Sequence, residues 1–224
     1  MATPLDLQEQ EQLDELKHFW KTYGNLISWV LIVVLGGFAA WNGYGYWQRT
    51  QSAKASALFD EVERAVISGD VARVERTWGD MKDKFGSTVY AQQAALLAAK
   101  TFQQKDKPEQ AQAALTWVAE HASDESYAQI ARLRLVSVLL QSRSYDSALS
   151  QLSKPFTAPF APLADDLRGD VLNAQAKPQE AIVAYRAAWK NFDETNEYRR
   201  LVEAKLNALG VDPKNIEASS GASK

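Results

Sequence analysis

The stretch QAKPQEAIVAYRAA, Gln175–Ala188, decides how this chain is read. It holds a polar turn, a proline where a helix would start, Ala181 and, four residues later, the larger Tyr185. The same order recurs in KDKPEQAQAALTWV (Lys105–Val118) and SRSYDSALSQLSKP (Ser142–Pro155), with Ala111 before Leu115 and Ala148 before Leu152. The three alanines are spaced by 37 and 33 residues. Twelve residues before each alanine stand Ala99, Val136 and Gly169, and three residues after those come Phe102, Leu139 and Leu172. A small residue opposite an alanine lets two antiparallel helices cross closely, while the large residues lock the pair against its neighbours. Pro108 and Pro178 suit a first helical turn, where the missing N–H has no intrahelical partner.

A hairpin recurring at about 34 residues is the mechanical unit of a tetratricopeptide-type solenoid. An earlier, degenerate hairpin is expected over Ser52–Phe85, with SAKASALFDEVERAVIS as first helix, a turn at Ser68-Gly69-Asp70, Asp70 as N-cap, and VARVERTWGDMKDKF as second helix. The competing account is a plain α-bundle with coincidental spacing. Val136 is larger than the small position prefers, Pro155 stands where another alanine is usual, and the 37-residue interval needs an insertion. The closing GVDPKNIEASSGASK is small and polar, and is expected to be disordered.

Upstream, no residue from Thr22 to Gln48 carries a formal charge, and Lys21 and Arg49 bound the run. Its more apolar part, Leu26–Trp47, is about 33 Å long as a helix, close to the roughly 30 Å hydrocarbon core of a bilayer. A cleaved signal fits poorly: the preceding region is acidic, the run is too long, and it ends in bulky rings. Trp20, Tyr23 and Trp29 on one side and Trp41, Tyr44, Tyr46 and Trp47 on the other resemble two interfacial belts. Gly36, Ala39, Ala40 and Gly43 form overlapping small-xxx-small pairs, which suit close packing of a second membrane helix, although glycine and alanine are common in such helices anyway. Lys17 and Lys21 balance Arg49 and Lys54, so flanking charge leaves the orientation open.

Net charge is −3, and much of the acid excess sits in the first twenty residues. The rest is balanced and gives no electrostatic footprint for nucleic acid. The chain has no cysteine and only two histidines, His18 and His121, too far apart in sequence to form a local pair of metal ligands. Nucleophile elbow, phosphate-cradling loop and HExxH are all missing. Asp165, Asp166 and Asp170 fall among residues of helical core spacing and read as a solvated or groove-facing stripe. No enzyme, cofactor or metal site is expected. A stack of hairpins acts through its concave face, lined mainly by first helices. The repeat register offers Gln93, Leu96, Lys100 and Gln103, then Ile130, Leu133, Ser137 and Leu140, then Leu163, Asp166, Asp170 and Asn173 as groove residues. Leu96, Ile130 and Leu133 serve equally well as core.

The anchor FWKTYGNLISWVLIVVLGGFAAWNGYGYWQ, the hairpins after it, and PLADDLRGDVLNAQAKPQEAIVAYRAAW together resemble the YfgM-like family of ancillary SecYEG translocon subunits, over roughly the whole chain. The aromatic–glycine anchor ending in YWQ and the Ala164–Asp170 helix carry most of that resemblance. It implies an all-α protein: an acidic cytoplasmic tail (1–22), one transmembrane helix (23–48), a tetratricopeptide-like solenoid (49–210) and a disordered tail (211–224). It implies an inner-membrane protein, N-terminus inside and C-terminal domain in the periplasm. Its implied partners are the SecYEG translocon, a PpiD-like membrane-anchored chaperone and newly translocated envelope proteins. A structural scaffold and a cytosolic regulatory adaptor stay open beside that reading.

Overall fold

The computed structural model describes residues 7–213, and the regular elements among them are all helices. They are α1 (Leu7–Ser68), α2 (Val71–Phe85), α3 (Val89–Gln104), α4 (Pro108–His121), α5 (Glu125–Gln141), α6 (Tyr145–Leu152), α7 (Ala161–Ala174), α8 (Pro178–Asn191) and α9 (Glu197–Ala208). The chain divides into two compact units, Met1–Gln51 and Ser52–Lys224.

The first unit is helical through the whole uncharged run, which is long and apolar enough to cross a membrane and is almost entirely unburied. Asn42, the one strongly polar residue of Leu26–Trp47, turns Nδ2 back onto the Phe38 carbonyl at 2.9 Å. That bond satisfies one of the amide's two donors within the helix, which lowers its cost in an apolar surround. Gly36, Ala39, Ala40 and Gly43 all lie on open surface, and a Cβ at Gly36 or Gly43 would meet nothing within 4 Å.

In the second unit successive helices pair as antiparallel hairpins, α3 with α4, α5 with α6, and α7 with α8, while α2 packs on α3 and α9 closes the series against α8. The repeat reading holds at each marked position. Ala111, Ala148 and Ala181 are fully buried, and Leu115, Leu152 and Tyr185 nearly so. Ala99, Val136, Gly169, Phe102, Leu139 and Leu172 are buried too. Pro108 and Pro178 open α4 and α8, and the Asp70 carboxylate accepts from the Arg73 N–H at 3.1 Å as N-cap of α2.

Each hairpin turn has the same backbone device. Gly69, Asp106, Arg143, Ala176 and Gly210 have φ between 55° and 78°, the left-handed region that ends a helix. After four of them the next N–H reaches back over the last turn: Lys107 to Phe102, Ser144 to Leu139, Lys177 to Leu172 and Val211 to Leu206, at 2.8–3.0 Å. So α9 ends as a first helix does. The chain expected to be disordered from 211 is still packed there: Val211 lies against the second apolar cluster and Pro213 is buried. The remaining tail, 214–224, lies outside the described residues.

Gly169 is small for a sharper reason than an opposing alanine. A Cβ there would lie 2.4 Å from the Tyr185 ring, so the ring occupies the space that any side chain would take. Second helix α6 is short because Pro155 stops it: proline lacks the N–H and disfavours a helical residue before it. Two buried glutamines fix the connections between hairpins. Gln92 donates to Ser123 Oγ at 3.1 Å, and Gln129 Oε1 accepts from both the N–H and the hydroxyl of Thr157, at 2.8 and 3.0 Å.

Candidate partner-binding groove

First helices α3, α5 and α7 pack side by side, and over the seam of α5 with α7 lies a shallow open groove of about 190 Å³. Leu133, Arg134 and Ser137 of α5, Leu163 and Leu167 of α7, and Tyr198 of α9 line it. Three of the groove residues expected from the register are among them: Leu133, Ser137 and Leu163. The other three were missed, two of them by one position. Arg134 and Leu167 stand nine residues before the left-handed residues at 143 and 176, where the register pointed to residues ten before. Leu201, nine before Gly210, repeats the position and is 47% exposed. The heptad-like spacing was legible, but which side of the stripe faces solvent depends on the crossing angle of neighbouring first helices, which one sequence does not state.

The remaining expected groove residues are placed otherwise. Leu96 is buried in the core, and Leu133, which the groove also touches, is only 9% exposed. Ile130 and Leu140 are half-buried against the core. Half-buried Gln93 donates to Tyr127 Oη at 2.8 Å, a bond from α3 to α5. Gln103 is half-buried, while Lys100 and Asn173 are exposed. Thus part of the chosen stripe meets the next first helix and joins repeat to repeat.

Asp166 and Asp170 show this most plainly, and here the solvated-stripe expectation is corrected. Asp166 has no exposed surface. The Lys205 ammonium of α9 reaches both Asp166 oxygens at 2.8 Å and Asp170 Oδ1 at 2.7 Å. Tyr198 donates to Asp166 Oδ2 at 2.9 Å, and Tyr185 donates to Asp170 Oδ1 at 2.8 Å. Burial pushes the Asp166 carboxyl above its ordinary value, with the Lys205 hydrogen bond and charge pulling part of the way back. Burial and the neighbouring carboxylates hold both tyrosines in the neutral, donating form. In earlier first helices the position of Lys205 carries Thr101, Val138 and Val171. The exchange to lysine is the trace of this cluster in the sequence, visible only once α9 is placed beside α7. The hydrogen bond to Asp166 also fixes Tyr198 as the end wall of the groove. Among the described residues no group of three histidine, cysteine or acidic side chains is arranged to hold a metal ion.

A single apolar anchor-type helix, paired helices in a 33–37-residue register, and an open groove across first helices define a tetratricopeptide-type interaction protein. The chain belongs to the tetratricopeptide repeat-like domain family, whose model matches residues 17–211, and within it to the YfgM-like ancillary SecYEG translocon subunits. It is 33% identical over 204 residues to the ancillary SecYEG translocon subunit of Neisseria gonorrhoeae, covering 91% of this chain and 98% of the relative. Proteins of the same description from Escherichia coli, at 26% identity over 206 residues, and Haemophilus influenzae, at 27% over 203, also match 91% of this chain, and 97% and 98% of their own length. No solved structure matches the chain.

Proposed function

We propose that this protein is a single-pass inner-membrane interaction module that works beside the Sec translocon and periplasmic chaperones. It assists newly translocated envelope proteins on their way from the channel. The observation that carries the reading is the match along nine-tenths of the chain to proteins described as ancillary SecYEG translocon subunits. In this reading residues 1–22 are a cytoplasmic tail, 23–48 the membrane span, 49–210 the periplasmic solenoid, and 211–224 a tail. A PpiD-like membrane-anchored chaperone is a partner, and the stack works by holding polypeptide, with no bond-making step. The groove across α5, α7 and α9 is where we place that contact. The small-residue face of α1 at Gly36, Ala39, Ala40 and Gly43 is where we place a membrane partner.

Affinity purification of the tagged full chain from membranes in mild detergent tests this. SecYEG and a membrane-anchored chaperone are expected in the eluate. Purification of the chain without any SecYEG subunit would contradict the reading. If the solenoid is deleted and complex and client contacts both survive, the scaffold alternative replaces it.

A further inference from the structure

The groove differs in chemistry from a simple greasy patch. Its floor is apolar, from Leu133, Leu163 and Leu167, while its rim carries the exposed guanidinium of Arg134. No acidic group pairs with Arg134 among the described residues, whereas Arg168 pairs with Asp165, and Arg199 pairs with Glu194 and lies over the Trp189 ring. Lys100 on the adjacent first helix α3 is exposed and likewise without an acidic partner among the described residues. Two acids of α7, the helix that forms one side of the groove, are closed off. Asp166 is out of solvent, and both Asp166 and Asp170 are bound by Lys205 and a tyrosine hydroxyl. The cation that a ligand meets here is Arg134.

At about 190 Å³ the groove is smaller than the roughly 300–1,000 Å³ of small-molecule sites. It has room for one or two side chains of a polypeptide that continues across the surface. A guanidinium beside an apolar floor is matched by a carboxylate, because the planar fork takes both oxygens while the neighbouring side chain buries its apolar area.

We propose that the groove takes an extended polypeptide segment in which a bulky apolar side chain is followed closely by a carboxylate, which pairs with Arg134. The apolar side chain enters between α5 and α7 and packs against Leu163 and Leu167, with the Tyr198 ring at its end. This rests on the reading of the protein as a polypeptide-holding module and names the class of segment held. Segments with lysine or arginine beside the apolar residue are discriminated against, since a like charge at Arg134 repels them.

The full chain in dodecyl maltoside, with fluorescein-labelled ten-residue peptides and anisotropy as readout, provides the test. One peptide carries Leu-Phe-Asp at its centre, a second Leu-Phe-Lys, and a third Ser-Ser-Asp. The first is expected to bind about fivefold more tightly than the second at low salt, with the gap shrinking as salt rises, and the third hardly at all. Arg134→Glu, at an exposed position, should keep the helical circular dichroism and invert the preference in favour of the lysine peptide. A lost side chain alone would produce no inversion. An unchanged preference in Arg134→Glu, equal binding of the two apolar peptides, or no binding of any peptide would overturn the proposal. If those results come with SecYEG still recovered from membranes, only this inference falls; loss of SecYEG recovery instead removes the reading beneath it.

Discussion

Gly169 and Ala176 show how much one residue's geometry decides. The ring of Tyr185 fills the space above Gly169, so Gly169→Ala forces the ring away and breaks its bond to Asp170. Overpacking of this kind costs about 1–3 kcal/mol. The thermal midpoint should drop by roughly 2–4 °C per kcal/mol, read by circular dichroism. Ala176 has φ 59°, a conformation that disfavours a Cβ. Ala176→Gly should therefore stabilise by about 0.5–1 kcal/mol in urea unfolding, despite the added freedom of the unfolded chain. Asp166 gives a pH signature. Its folded pKa is raised, so the folded state holds the proton more readily than the unfolded chain does. Wild type should gain stability relative to Asp166→Asn as pH falls from the folded value towards the ordinary carboxylate value near 3.9, and nothing further below it. Paired urea titrations check the sign. The sequence shows a glycine, an alanine and an aspartate at these places; neither the left-handed turn at a non-glycine residue nor the burial of Asp166 is written in residue type.

Helices were legible where a local rule suffices. The prolines at the starts of α4 and α8, the Asp70 cap and the alanine register all follow from hydrogen-bond geometry within a single hairpin. What depends on a neighbouring hairpin was not legible, as the one-residue offset of the groove stripe and the role of Lys205 show. Helix α9 illustrates the cost of that gap. It is fastened by Val202 and Leu206, both fully buried, and by Lys205 between two carboxylates. Lys205→Met leaves the two acids facing each other, which should destabilise by about 2 kcal/mol or more. Hydrogen exchange should then speed up in α9 and the adjoining part of α7, with α3 and α4 unchanged. At the other end of the chain, helix α1 offers an open small-residue face. Gly36→Leu with Gly43→Leu should reduce recovery of membrane partners without altering the melting of the second unit.

For the molecule as a whole, recurrence made the fold readable from one sequence: a hairpin seen three times is evidence that no single segment could give. Length, charge and the uncharged run point to the membrane, but flanking charges that cancel leave the side of the membrane to the family relationship. Fusion of alkaline phosphatase or green fluorescent protein after Ala208 settles the orientation, and the account expects phosphatase activity without fluorescence. The central claim concerns what the solenoid holds. Its most direct test is a photo-crosslinking amino acid placed in living cells at Leu167, in the groove, and separately at Val183, which is exposed on second helix α8. The account predicts adducts with newly translocated polypeptides from position 167 and none from 183. Equal adducts from both positions, or adducts from 183 alone, would contradict it.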